Sequence, residues 1–124
     1  MTRTYSATAY YRPNASRKNL VLLTEATVSK VMLEQTGLEW VARGVQFQHD
    51  GKEYAVTALE EVIICAGSVA SSQLLELSGI GNPAILEEAL IPVKIANPNV
   101  GEHLQDHISE YSEPSPQPSS NSEK

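Results

Sequence analysis

The rhythm of hydrophobic and polar positions changes along the chain, and each rhythm predicts a different element. From Asn19 the pattern is β: "NLVLLT" is a short apolar run, and "ATVSKVMLE" follows with β-branched Thr27, Val28 and Val31. Gly37 breaks the chain. Beyond it the residues alternate, which predicts Val41, Val45 and Phe47 on one face of a strand and Ala42, Gln46 and Gln48 on the other, with Arg43 interrupting the apolar set. Asp50-Gly51 suits a two-residue turn whose central positions both need positive φ. Tyr54, Val56 and Ala58 then alternate with Glu53, Ala55 and Thr57. These segments predict an antiparallel meander with one solvated face.

"EVIICAG" is apolar without alternation, the pattern of a strand covered on both faces. It ends in Ala66-Gly67, small enough for close backbone approach. Ser71 or Ser72 is the candidate cap of the helix "SQLLELS", in which Leu74, Leu75 and Leu77 leave mainly Glu76 for water. Gly79 is placed to stop that helix in a left-handed conformation. Asn82-Pro83 opens a second helix, with Ile85, Leu86, Ala89 and Leu90 as its apolar stripe and Ile91-Pro92 at its end. "VKI" reads as a short strand and "NPNVGEHLQDHI" as a turn-rich stretch. The first 20 residues show little periodicity and read as a loop or edge. Residues 109–124, almost all Ser, Pro, Glu and Asn, read as a disordered tail, because they cannot offset the entropy of ordering.

Composition narrows the picture. The 124 residues allow one ordinary domain, enough to bury about two-thirds of the unfolded surface if it folds alone. A formal net charge of −6 without a basic face makes nucleic acid a poor partner. No apolar stretch approaches the roughly 20 residues of a membrane helix, and the start lacks the apolar core of a secretory signal. Cys65 is the single cysteine, which excludes an internal disulfide, and its apolar surroundings predict a buried, inert thiol. Asn14-Ala15-Ser16 is a glycosylation sequon, meaningful only in a secreted protein.

The stretch "GSVASSQLLELSGIG", residues 67–81, resembles the second signature of the glucose–methanol–choline oxidoreductases. The matching elements are Gly67-Ser68, Ser71-Ser72, Leu74-Leu75 and Ser78-Gly79-Ile80-Gly81. The segments "RTYSATAYYRP", "RKNLVLLTEATVSKV" and "EVIICAG" look like flanking parts of the same family. "NVGEHLQDH" is similar to its Val-Gly-x-Asn-Leu-Gln-Asp-His, with His103 in place of the Asn. The resemblance runs from Arg3 to His107, and agreement across several levels carries it.

That family implies an α/β fold: a partial FAD/NAD(P)-binding Rossmann-like domain over residues 1–108, with an antiparallel meander and without the first βαβ unit. It implies FAD as cofactor and oxidation of a small-molecule alcohol at a CH–OH group, the flavin accepting the hydride and a base the proton. By the same resemblance, the backbone at Val28 touches the adenine end, and Ala66 and Gly67 lie where the strand approaches the cofactor. A side-chain-poor strand end beside a helix N-terminus is a good place for a dinucleotide.

The family's GxGxxG segment and its catalytic His are expected outside this chain, so no catalytic residue is assigned. "GIGNPA" fits a loose GxGxxA but follows a helix instead of a strand. His49 sits at a hairpin turn, where solvation is expected. His103 and His107 share an i, i+4 spacing, but "HLQDH" has Leu104 where a zinc-protease helix needs Glu, so no metal site is assigned. Glu102 and Asp106 read as solvated charges. Two functions stand side by side: a piece of an FAD-dependent alcohol-oxidising enzyme, inactive alone, and a non-catalytic protein that associates through an unpaired sheet edge.

Overall fold

A computed structural model describes residues 3–106, so the tail expected at 109–124 and the residue His107 lie outside the described part. The chain begins with a helical stretch, α1, made of a wide turn at Ala7–Tyr11 that runs on through Arg12–Asn14. A loop or edge was expected there. Local bonds explain the helix: Thr8 and Ala9 amides donate to the Tyr5 carbonyl, and the Asn14 side-chain amide donates to the Tyr10 carbonyl at 2.7 Å.

Strands β1 (Thr27–Thr36), β2 (Glu39–His49) and β3 (Lys52–Thr57) form an antiparallel sheet in that order. The predicted meander is present. Asp50 and Gly51 have φ of 50° and 70°, the twin positive values of the expected hairpin turn. Phe47 and Tyr54 pair across the hairpin with their rings stacked at 5.5 Å.

Two register shifts revise the predicted faces. Val28 pairs with Phe47 and Lys30 with Gln46, leaving Ser29 as an extra residue. Met32 pairs with Gly44 and Leu33 with Ala42, leaving Arg43 as an extra residue on β2. Directly opposed residues share a face, so Ala42, not Val41, lies on the side of Val45 and Phe47. The arginine that broke the alternation is thus a bulge. Its guanidinium reaches Glu34 at 2.7 Å, and both side chains stay exposed. The bulge at Ser29 brings Val28 onto the face of Val31.

Helix α2 spans Ser68–Leu77. Neither Ser71 nor Ser72 caps it, because Gly67 occupies the cap position. Ser71 Oγ instead accepts from the Ala66 amide at 3.2 Å, and Ser72 Oγ donates to the Ser68 carbonyl. Glu76 is half-buried while Leu77 is exposed, the reverse of the expected pattern. Gly79 does end the helix with φ 92°, and a Cβ there would meet the Pro92 carbonyl at 2.6 Å. Helix α3 (Pro83–Glu88) opens as predicted, with the Asn82 side chain accepting from the Ala84 amide. Of its predicted stripe, Leu86 is fully buried, but Ile85 and Leu90 are exposed. Between and after these helices, β4 (Ile80–Gly81) pairs in parallel with β5 (Ile95–Ala96), the latter close to the expected "VKI" strand. Asn97 to Glu102 form successive turns.

The largest departure concerns "EVIICAG". Residues 59–66 form no strand, and Ile63 is 73% exposed. A strand of a parallel sheet takes its regular shape from neighbours on each edge, and no described segment pairs with this one. Residues 20–23 are likewise apolar, exposed and outside any strand. Among the described residues, Val31 and Leu86 are the buried apolar side chains, so the burial expected of a chain of this length is not reached. The Lys94 ammonium lies 5.7 Å over the Trp40 ring and adds a contact between the meander and the segment after α3.

Candidate functional site

Val28 stands near the start of β1, and Ala66 and Gly67 lead into α2, so sequence separates the predicted site residues widely. The fold brings Val28 and Ala66 to one groove of about 230 Å³, lined also by Val45, Val62, Ile63, Ile64, Cys65 and Leu74. The bulge at Ser29 and the helix together make this possible. One re-aims the start of β1, and the other sets Leu74 beneath the strand-like run. Val45, Leu74 and Cys65 were noted in the sequence but not assigned to a site, since nothing local marks a residue as facing a distant segment.

Gly67, the third predicted site residue, follows Ala66 but does not line the groove. Its φ of 92° is a left-handed value, and a Cβ at this position would meet nothing within 4 Å. Space alone therefore does not require glycine here, but the backbone turn does. The Ala66 amide is held by Ser71 Oγ, and the amides of the first turn of α2 receive no side-chain cap. Cys65 is exposed, contrary to the expected buried thiol, because the run that carries it is open on its outer side.

The other candidates fall elsewhere. His49 Nδ1 lies 3.3 Å from the Glu25 carbonyl and Nε2 lies 3.5 Å from Asp50, so the ring is held at the turn instead of freely solvated. His103 sits in a turn with φ 57°, not on a helix, and lines a separate hollow of about 450 Å³ with Ser68, Ser72, Glu76 and Leu104. That hollow was not read from the sequence. "GIGNPA" forms the end of α2, β4 and the start of α3, which agrees with its reading as a helix terminus. Among the described residues no group of three or more His, Cys, Asp or Glu is placed to hold a metal ion. No helix among them is long and apolar enough to cross a membrane.

The sequence model described as GMC oxidoreductase matches residues 2–109. This chain belongs to the GMC oxidoreductase family. "Dehydrogenase mpl7" of Monascus purpureus is 49% identical over 107 residues, which are 85% of this chain and 17% of that protein. The mitochondrial choline dehydrogenase of Homo sapiens is 42% identical over 106 residues, covering 86% of this chain and 17% of that protein. Among solved structures, pyridoxine 4-oxidase from Mesorbium loti superposes with a TM-score of 0.70 at 30% identity, over 78% of this chain and 18% of that one. An FAD-dependent oxidoreductase from Chaetomium thermophilum gives 0.69 at 30% identity, over 78% of this chain and 16% of that one. The chain thus spans a small part of the GMC oxidoreductases it matches. FAD is the cofactor of the family.

The groove fits part of such a cofactor. Its lining is apolar and carries no charged side chain, which suits a flat purine better than a pyrophosphate. Its volume falls below the roughly 300–1,000 Å³ of complete small-molecule sites.

Proposed function

We propose that residues 1–108 are a partial FAD-binding, Rossmann-like domain of an enzyme that oxidises the CH–OH group of a small-molecule alcohol. In this reading, Val28, Ala66 and Gly67 border the adenine end of the dinucleotide. Val28 contributes its backbone, and Ala66-Gly67 keeps side chains out of the way. The flavin, when bound, supplies the hydride acceptor. The chain's own residues orient the nucleotide and exclude water along the face formed by Val45, Leu74 and Ile64. None of the described residues stands as the base that takes the hydroxyl proton, so the chain alone turns over no alcohol, and without a GxGxxG segment to cradle the pyrophosphate it holds no flavin firmly.

The single observation carrying this reading is the groove that Val28 and Ala66 share in a chain of this family. The test is to replace the corresponding segment of a full-length relative with residues 3–106. The expected chimera is yellow, with FAD near one per chain, and reduces its flavin when given the relative's alcohol. A folded but colourless chimera would overturn the cofactor reading. Separately, a stoichiometric flavin spectrum on the purified 124-residue chain would overturn the statement that it holds none by itself.

A second reading rests on the exposed apolar residues 20–23, Leu59 and Ile63. These favour association with another chain through unpaired extended backbone, without catalysis. Size-exclusion chromatography separates the two readings: a monomer across a hundredfold concentration range counts against association.

A further inference from the structure

Ser78 is 2% exposed and uses its hydroxyl both as donor and as acceptor. Its Oγ–H donates to the Leu74 carbonyl at 2.6 Å, and its Oγ accepts from the Val31 amide at 2.8 Å. A hydroxyl offers one donor and two acceptor sites, so this is a bridge between two backbones and not a loose contact. The two backbones belong to different layers, 47 positions apart in sequence. Val31 lies on β1, which stands at the edge of its sheet, so its outward amide has no strand to pair with among the described residues.

Ser78 and Val31 do not line the groove themselves, but the bridge holds residues that do. Leu74, whose carbonyl it grips, lines the groove, and so does Val28, three residues before Val31. Between Val28 and Val31 the bulge at Ser29 is itself tied down, its Oγ donating to the Gln46 carbonyl at 3.2 Å. On the opposite wall, Ser71 ties Ala66 to the same helix. A rigid path therefore runs from the Val28 backbone through Val31, Ser78, α2 and Ser71 to Ala66.

We propose that Ser78 is the positioning residue of this groove, the pin that fixes the separation of its Val28 and Ala66 walls. Its importance to a flavin rests on the function proposed above, but the separation itself is measured without any flavin, so the two ideas fail independently.

The experiment uses the full 124-residue chain and its single native cysteine. Nitroxide labels on Cys65 and on Lys30→Cys, on the far face of β1, report by pulsed electron resonance the separation of β1 from the run that forms the other wall. Labels on Lys30→Cys and Lys52→Cys, in a Cys65→Ser background, report the meander alone. Ser78→Ala is expected at least to double the width of the 30–65 distance distribution, leave the 30–52 distribution unchanged, and be rescued by Ser78→Thr. An unchanged 30–65 distribution overturns the proposal. Equal broadening of both pairs also overturns it, because that is what a merely structural serine produces. If Ser78→Ala fails to fold, amide exchange in the unsubstituted chain decides. A Val31 amide at least a hundredfold slower than an exposed one supports the pin, and free exchange removes it.

Discussion

The meander and the run that follows it are both rich in β-branched residues, yet one is ordered by its own chain and the other is not. In β1, β2 and β3 every strand has a neighbour a few residues away across a tight turn. Residues 59–66 have none among the described residues, and Leu59 and Ile63 are left largely in water. Alternation with turn residues is information about a partner the sequence already contains. An unbroken apolar run is information about a partner elsewhere. The groove lies where the two regions meet, so half of it rests on firm ground and half on a segment awaiting cover.

Substitutions can break or sharpen this contrast. The largest effect is expected for Gly44→Val in the meander. Gly44 has φ 153°, and a Cβ there would collide with the Val56 carbonyl and approach Met32 Cε at 2.8 Å. A loss of about 3 kcal/mol or more follows, read as a collapsed urea midpoint. Leu86→Ala removes the side chain with no exposure at all, and should cost about 2–5 kcal/mol in the same measurement. Asn82→Ala deletes the α3 cap and should cost about 1 kcal/mol. The smallest effect is expected for Ile63→Ser, within about 0.5 kcal/mol, since that side chain is mostly in water. An Ile63→Ser cost as large as that of Leu86→Ala would mean the run is covered, and the contrast would be gone. In the chimera described above, the same Ile63→Ser change should become costly by about 1–3 kcal/mol, because a buried apolar side chain would then be lost.

What the sequence disclosed follows the same division. The Asp50-Gly51 turn, the Asn82 cap and the Gly79 stop were legible because each depends on a few adjacent residues. The bulges at Ser29 and Arg43 were not, since a two-against-one pairing is settled between strands, and Arg43 showed itself only as a break in the alternation. The helical turn of α1 was hidden by weak periodicity and depends on bonds from the Asn14 side chain and to the Tyr5 carbonyl. Val28, Ala66 and Gly67 came from the family resemblance, whereas Leu74, Cys65 and Ser78 acquire their places only from the packing of α2 beside β1. The exposure of Cys65 was misjudged for the same reason as the strand that carries it.

The chain has one tryptophan, and Lys94 holds its ammonium over that indole. Fluorescence from Trp40 therefore monitors, with no added dye, whether the segment after α3 stays docked on the sheet. A shift in emission on changing Lys94 to Met, with the far-ultraviolet dichroism unaltered, would turn this one ring into a gauge of layer separation.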